Sequence, residues 1–274
     1  MPTYVELTYG QVALAALLIV VNGAVSIMLQ LKMERLLAIA SLRTIVQLLL
    51  VGWVLEWVFR LEAWYVVMAL ACLMTAIAGA TAVRRNEHRY PGIWINTLIS
   101  VWASSWFVTG YVLLAVLQEI QHWYQPQYAI PLLGMVLGNT LNGISVGLST
   151  LTESLVTRRR EVETWLSLGG TRWEAARRPI QHAVRTGMIP IINSMMVVGV
   201  VSLPGMMTGQ LVSGMSPIEA VKYQIVIMFM VASATALGTV GVVLLAFLRL
   251  FSADHQFLAS RIRRLADTRA TPHN

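Results

Sequence analysis

Long apolar runs alternate with short polar connections along nearly the whole chain. A helix needs about 20 mainly apolar residues to cross a bilayer. Seven segments meet that requirement: 8–29, 37–58, 64–83, 93–117, 130–153, 188–212 and 217–249. The pattern predicts an all-α integral membrane protein of about seven transmembrane helices. The last segment is long for one crossing, so its first two turns, Pro217 to Gln224, are expected in the outer interface. No internal repeat is present at a fixed period, and seven spans do not divide into two equal inverted halves.

The polar connections set the orientation. Of 274 residues, 57% are hydrophobic and 12% charged, a balance that excludes an ordinary soluble domain. The formal charge of +7 does not point to nucleic acid, because the basic residues punctuate span ends instead of forming one basic domain. One set of alternate connections holds Lys32, Arg35, Arg84, Arg85, Arg89, seven arginines from Arg158 to Arg185 and five from Arg249 to Arg269. The other holds only Arg60 and Lys222. Seventeen against two, with Arg43 inside a span, predicts an outside N-terminus and a cytoplasmic tail. The chain then divides into a permease-like membrane domain, 1–253, and a basic tail, 254–274, along the anionic inner leaflet. Trp53, Trp57, Trp64, Trp123, Tyr124 and Tyr128 flank the outer connections, where such rings anchor at headgroup level. No basic residue precedes the first apolar run, so a cleavable signal peptide is not expected.

The connection at 157–187 is too structured for a plain linker. Glu161 and Glu163 suit a helix N-terminus, and Gly169-Gly170 suits its end. Thr171 with Glu174 three residues on predicts a capping box that starts a second helix. Trp165, Leu166, Leu168 and Trp173 supply apolar surface that a solvated loop does not need. Two destinations are open for it: a protein partner or the membrane surface. The two lysines, Lys32 and Lys222, do not follow a glycine, so the chain lacks G-x-x-x-x-G-K-[ST] and cannot hydrolyse ATP by that route.

Glu163 followed six positions later by Gly169 resembles the EAA loop of ABC-importer permeases, although Thr164-Trp165 replaces the paired alanines and the downstream Leu-Pro is missing. A wider match covers most of the chain: Ser41 to Leu48, Arg85 to Gly92, Pro131 to Asn139, Ser202 to Gln210 and Val221 to Ile225. These segments resemble the bacterial iron-export ABC permease family (FetB type), related to plant aluminium-tolerance membrane subunits. The resemblance implies a multi-pass inner-membrane subunit, working as a homodimer with a separate ATPase that carries ATP and Mg. On that reading Glu163, Trp165, Leu166, Gly169, Gly170 and Trp173 couple to the ATPase, iron is bound only in transit, and this chain holds no cofactor of its own.

Polar groups inside spans are expensive, so each needs an account. Arg43 lies six residues into the second span, about 9 Å deep at 1.5 Å per residue. It either snorkels to the headgroups or faces inward with Gln47, one turn deeper, and Glu153 is a natural ion-pair partner. In the fifth span Asn139, Asn142, Ser145, Ser149 and Glu153 recur at three- and four-residue spacing, hence on one helical face. That stripe is either polar glue between helices or the lining of a translocation path. Pro204-Gly205 should break the sixth span, leaving Met206 and Met207 as candidate soft-metal ligands beside their ordinary use in packing. Glu56 and Glu219 are acidic candidates at the same side, the latter also placed to pair with Lys222. Cys72 is alone, and His88, His122, His182 and His255 are scattered, so a high-affinity metal centre is not expected. The rival from another class is a seven-helix receptor; within transport, it is a permease for another metal or small solute. A retinal pigment is excluded, because Ile225 to Leu248 contains no lysine.

Overall fold

The computed structural model describes residues 8–61, 63–117 and 124–264. Trp123, His122 and Arg269, named above, lie outside them. The chain is helical almost throughout: α1 (Tyr9–Met28), α2 (Glu34–Leu61), α3 (Trp64–Arg84), α4 (Ile93–Tyr111, continued by a π-helical turn Val112–Val116) and α5 (Pro126–Thr157). Then follow α6 (Arg159–Ser167), α7 (Arg172–Val197), α8 (Gly205–Val212) and α9 (Pro217–Leu250). Two short strands, β1 (His88–Arg89) and β2 (Arg263–Arg264), pair antiparallel.

Among the described residues six helices, α1 to α5 and α9, are long and apolar enough to cross a membrane. The expected seventh, at 188–212, is not one helix. α7 begins far earlier, at the Thr171 cap, and its 26 residues include Arg172, Arg177, Arg178 and Arg185, which dilute its hydropathy. It ends at Val197, where Val198 turns extended and Gly199 adopts φ +82. A compact turn, closed by Gly199 N–H donating to Ser202 O at 2.9 Å, leads to the separate eight-residue α8.

α5 is the hub, packed against α3, α4, α7 and α9. Small residues let the backbones approach, the usual solution for helices in lipid, where hydrophobicity cannot drive association. A Cβ added at Gly187 of α7 would meet Gly143 O and Thr239 Cγ2, each at 2.7 Å. One at Gly238 of α9 would meet Thr140 Cγ2 at 2.7 Å and Ser104 Oγ at 2.9 Å. Three of the buried hydroxyls in this region turn back on their own helices. Ser100 donates to Asn96 O at 2.8 Å, Ser104 to Ser100 O at 2.7 Å and Thr152 to Leu148 O at 3.0 Å.

The α1–α2 hairpin stands apart. Its turn is tied by Met33 N–H donating to Ser26 Oγ at 3.0 Å and Ser26 Oγ to Glu34 Oε2 at 3.1 Å. Val58 is the one residue of α2 buried among the described residues, and it clusters with Val67 of α3 and Ile130 of α5. Apart from Ser26 in its turn and a few half-buried positions, the described side chains of the hairpin are exposed.

Candidate coupling elbow and polar path

At the arginine-rich end of the bundle, α6 and the start of α7 form a hairpin-like elbow. Leu168 closes α6, and Gly169 N–H donates to Leu166 O at 3.1 Å while Gly170 N–H donates to Trp165 O at 3.0 Å. This pair of bonds is a Schellman motif, and it needs a left-handed residue just past the helix. Gly169 supplies it at φ +86. At Gly170 a Cβ would meet Trp165 O at 2.7 Å, so both glycines are required for different reasons. The capping box forms as expected: Thr171 Oγ1 accepts from Glu174 N–H, and the Glu174 carboxylate accepts from Thr171 N–H at 2.8 Å. The Thr171 backbone N–H, then its hydroxyl, hold the Glu174 carboxyl below the usual carboxylate range.

The elbow's apolar residues split between two faces. Val162 is fully buried and Leu166 packs on the main core, fixing α6 against the bundle. Leu168 is 79% exposed, Trp165 46% and Trp173 47%. Surface ion pairs brace the rim: Arg159 with Glu163 at 2.7 Å, and Arg178 with Glu161 at 3.4 Å. Such exposed pairs contribute at most about 1 kcal/mol each.

Sequence reasoning missed a clamp on this elbow. Beyond α9 the chain folds back, stacking Phe257 on Phe251 with centroids 5.0 Å apart, while Phe247 meets Trp173 edge-on at 5.7 Å. Arg172 donates from its backbone N–H to His255 Nδ1 at 3.1 Å and from its guanidinium to Ser252 O at 3.0 Å. β2 then pairs with β1, registering Arg263 against Arg89, so one segment ties the elbow to the α3–α4 connection. Between elbow and tail lies a cleft of about 600 Å³, lined by Glu163, Gly169 and His255 among others. The spacing of Phe247, Phe251 and Phe257 was the available signal for this packing. Beneath the α3–α4 connection, burial pushes the Tyr90 hydroxyl up to about 12, and Asn96 donates to it at 3.3 Å.

The α5 stripe stays on one face but meets different surroundings. Ser145 is buried at its margin, Ser149 is half-buried, and Asn139, Asn142 and Glu153 are exposed. Asn139 donates to Met135 O at 2.9 Å, and Asn142 Oδ1 accepts from Arg85 at 2.7 Å, a partner the sequence did not suggest. Arg43 and Gln47 are exposed on α2, and among the described residues no ion pair joins Arg43 to Glu153. The cause is the stand-off of the hairpin, which touches the bundle chiefly through Val58. Of the metal candidates, Glu56 pairs with Arg60 and Glu219 with Lys222 at 2.7 Å, both on exposed surface. Met206 packs on a core cluster, and Met207 is buried in a pocket beside the α7–α8 break.

The profile described as Uncharacterised protein family (UPF0014) matches residues 9–251, nearly the whole described bundle. The chain belongs to the UPF0014 family. A UPF0014 membrane protein of Synechocystis is 41% identical over 79% of this chain and 83% of its own. Protein ALUMINUM SENSITIVE 3 of Arabidopsis thaliana is 32% identical over 90% of this chain and 89% of its own. A protein named Probable iron export permease protein FetB, of Escherichia coli, is 27% identical over 94% of this chain and 98% of its own. No solved structure matches. Membership in UPF0014, with the apolar helices, makes this a multi-pass membrane protein.

Proposed function

We propose that the chain is the membrane subunit of an ATP-driven exporter in the bacterial inner membrane, moving iron outward with a separate ABC ATPase. The observation that carries this is the elbow. It is held by a Schellman motif, a capping box and a tail clamp, yet it leaves Leu168 and about half of Trp165 and Trp173 uncovered. Rigid geometry around an uncovered apolar surface fits a docking element for a partner. The sequence also lacks a phosphate-binding lysine motif of its own. The charge asymmetry supports an elbow on the cytoplasmic side, where ATP is.

Seven crossings follow if α7 and α8 together make the sixth, a broken helix of the kind tolerated at membrane depth where it is buried or lines a cavity. Two permease copies are the natural assembly. Arg43, Gln47 and Glu153 present polar groups on span helices that no group among the described residues meets, and a second copy would bring such faces together. Iron as cargo, and outward as the direction, are supported by the name of the Escherichia coli relative. The Asn139, Asn142, Ser149 and Glu153 face is the proposed path.

The test is co-expression with the cognate ATPase subunit. Gly169→Pro forces φ near −65° where +86° is needed, and Leu168→Asp charges the most exposed apolar residue of the elbow. Both should abolish co-purification of the ATPase while leaving membrane insertion intact. Retained co-purification in both variants would overturn the docking role. Metal efflux from energised vesicles, iron against manganese and zinc, then tests the cargo.

A further inference from the structure

We propose that the pocket at the break between α7 and α8 is a binding site for a soft, partly dehydrated cation, held by the thioethers of Met195, Met207 and Met228 and the side-chain oxygen of Gln224. The four residues come from three helices and line one cavity of about 380 Å³. Met195 stands just before the end of α7, Met207 is buried on α8, and Gln224 and Met228 lie one turn apart on α9.

Gln224 is only 6% exposed, yet its Oε1 has no hydrogen-bond donor. Buried acceptors are nearly always satisfied, so an amide oxygen left open at the wall of this pocket needs an explanation. No lysine, arginine or histidine lines the pocket, so no positive side chain there opposes a cation. An apolar occupant would leave the amide oxygen unmet, and an anion would meet three thioether sulfurs that have no proton to donate to it. Water would satisfy the oxygen but gain little from three sulfurs. A soft cation satisfies both donor types, since thioethers favour ions such as Cu(I) over harder ones.

The inference concerns a soft cation and does not depend on the export reading, so binding is testable on the permease alone. The full-length protein in detergent carries Cys72→Ser, because that exposed thiol would itself capture soft metals. Ag(I) and Cu(I) are the probes, with Fe(II) under anaerobic conditions as the harder comparison. We expect a single high-occupancy Ag(I) per chain, with sulfur neighbours in X-ray absorption. Combined Met195→Leu, Met207→Leu and Met228→Leu should weaken it roughly tenfold or more, the scale on which even outer-shell changes weaken metal sites. Gln224→Leu should weaken it by less. Met196→Leu, next in sequence but outside the pocket and 75% exposed, should change nothing. Circular dichroism and ATPase co-purification check that the variants fold. Unaltered Ag(I) binding in the triple variant, no site-like binding at all, or tighter Fe(II) than Ag(I) would overturn the proposal. A permease that co-purifies with its ATPase but binds no Ag(I) loses only this site; one that binds Ag(I) yet captures no ATPase on co-expression overturns the export reading alone.

Discussion

Replacing Gly187 by alanine tests the packing that joins the elbow to the rest of the bundle. The new methyl would sit 2.7 Å from Gly143 O, 2.7 Å from Thr239 Cγ2 and 3.2 Å from Gly147 Cα. Ordinary contact begins near 3.4 Å, so α7 must move away from α5 by several tenths of an ångström. Two of the three obstructing atoms are backbone, which leaves no flexible side chain to absorb the shift. Overpacking of this kind costs about 1–3 kcal/mol, larger than the roughly 0.5–1 kcal/mol that alanine gains over glycine in a helix. For a chain of this length, 1 kcal/mol shifts the melting temperature by about 2–4 °C. Thermal unfolding in detergent, followed by size-exclusion or tryptophan fluorescence, should therefore fall by several degrees. Gly110→Ala on α4 is the internal control, because its Cβ meets nothing within 4 Å. It should be neutral or slightly stabilising. Equal melting temperatures for Gly187→Ala and Gly110→Ala would refute the account of the seam.

Two further outcomes follow from the elbow and the hairpin. Because its folded-state pKa is depressed, Glu174 contributes stability above its unfolded value of 4.5 that is lost as pH falls through the folded one. Melting curves taken from pH 6 down to 3 should decline less steeply in Glu174→Gln, and identical slopes would mean that the capping box does not titrate. In a Cys72→Ser background, cysteines at 43 and 153 should cross-link two copies into a dimer on denaturing gels. A fast-migrating internal cross-link instead would place α2 against α5 of the same chain.

Much of the fold was legible because membrane physics writes it in composition. Spans one to five and the last were marked by apolar runs, and each became a helix; the first and fourth are slightly shorter than expected, and the others run one to four residues further at one or both ends. The elbow was legible for a different reason: capping residues act locally, so Thr171, Glu174 and Gly169 could be read without knowing the fold. The sixth span was not, because α7 mixes arginines of one environment with apolar residues of another in one unbroken helix, and Pro179 and Pro190 do not stop it. Long-range pairings were equally hidden. Nothing at position 85 or 142 announces their hydrogen bond, since Arg85 lies 57 residues away in sequence. The Arg43–Glu153 pairing, inferred from depth and charge alone, failed within one chain because depth does not say which helices are neighbours.

These pieces give α7 a mechanical position. Its 26 residues run about 39 Å at 1.5 Å per residue, from the capped elbow to the turn beside the methionine-lined pocket. Along its middle, Gly187 and Ala183 are pressed against α5 and α9 without side chains to yield. At one end the tail clamp joins Arg172 to the segment after α9, so α7 and α9 are tied both there and at the seam. Pro179 and Pro190 each remove a backbone donor and crowd the carbonyl four residues earlier. The helix is thus weakest on either side of the seam and stiffest at it. A displacement applied at the elbow cannot slide α7 past α5, because the glycine contacts interlock. With a weak point at Pro179 on the elbow side, α7 bends there before the seam at Gly187 gives way.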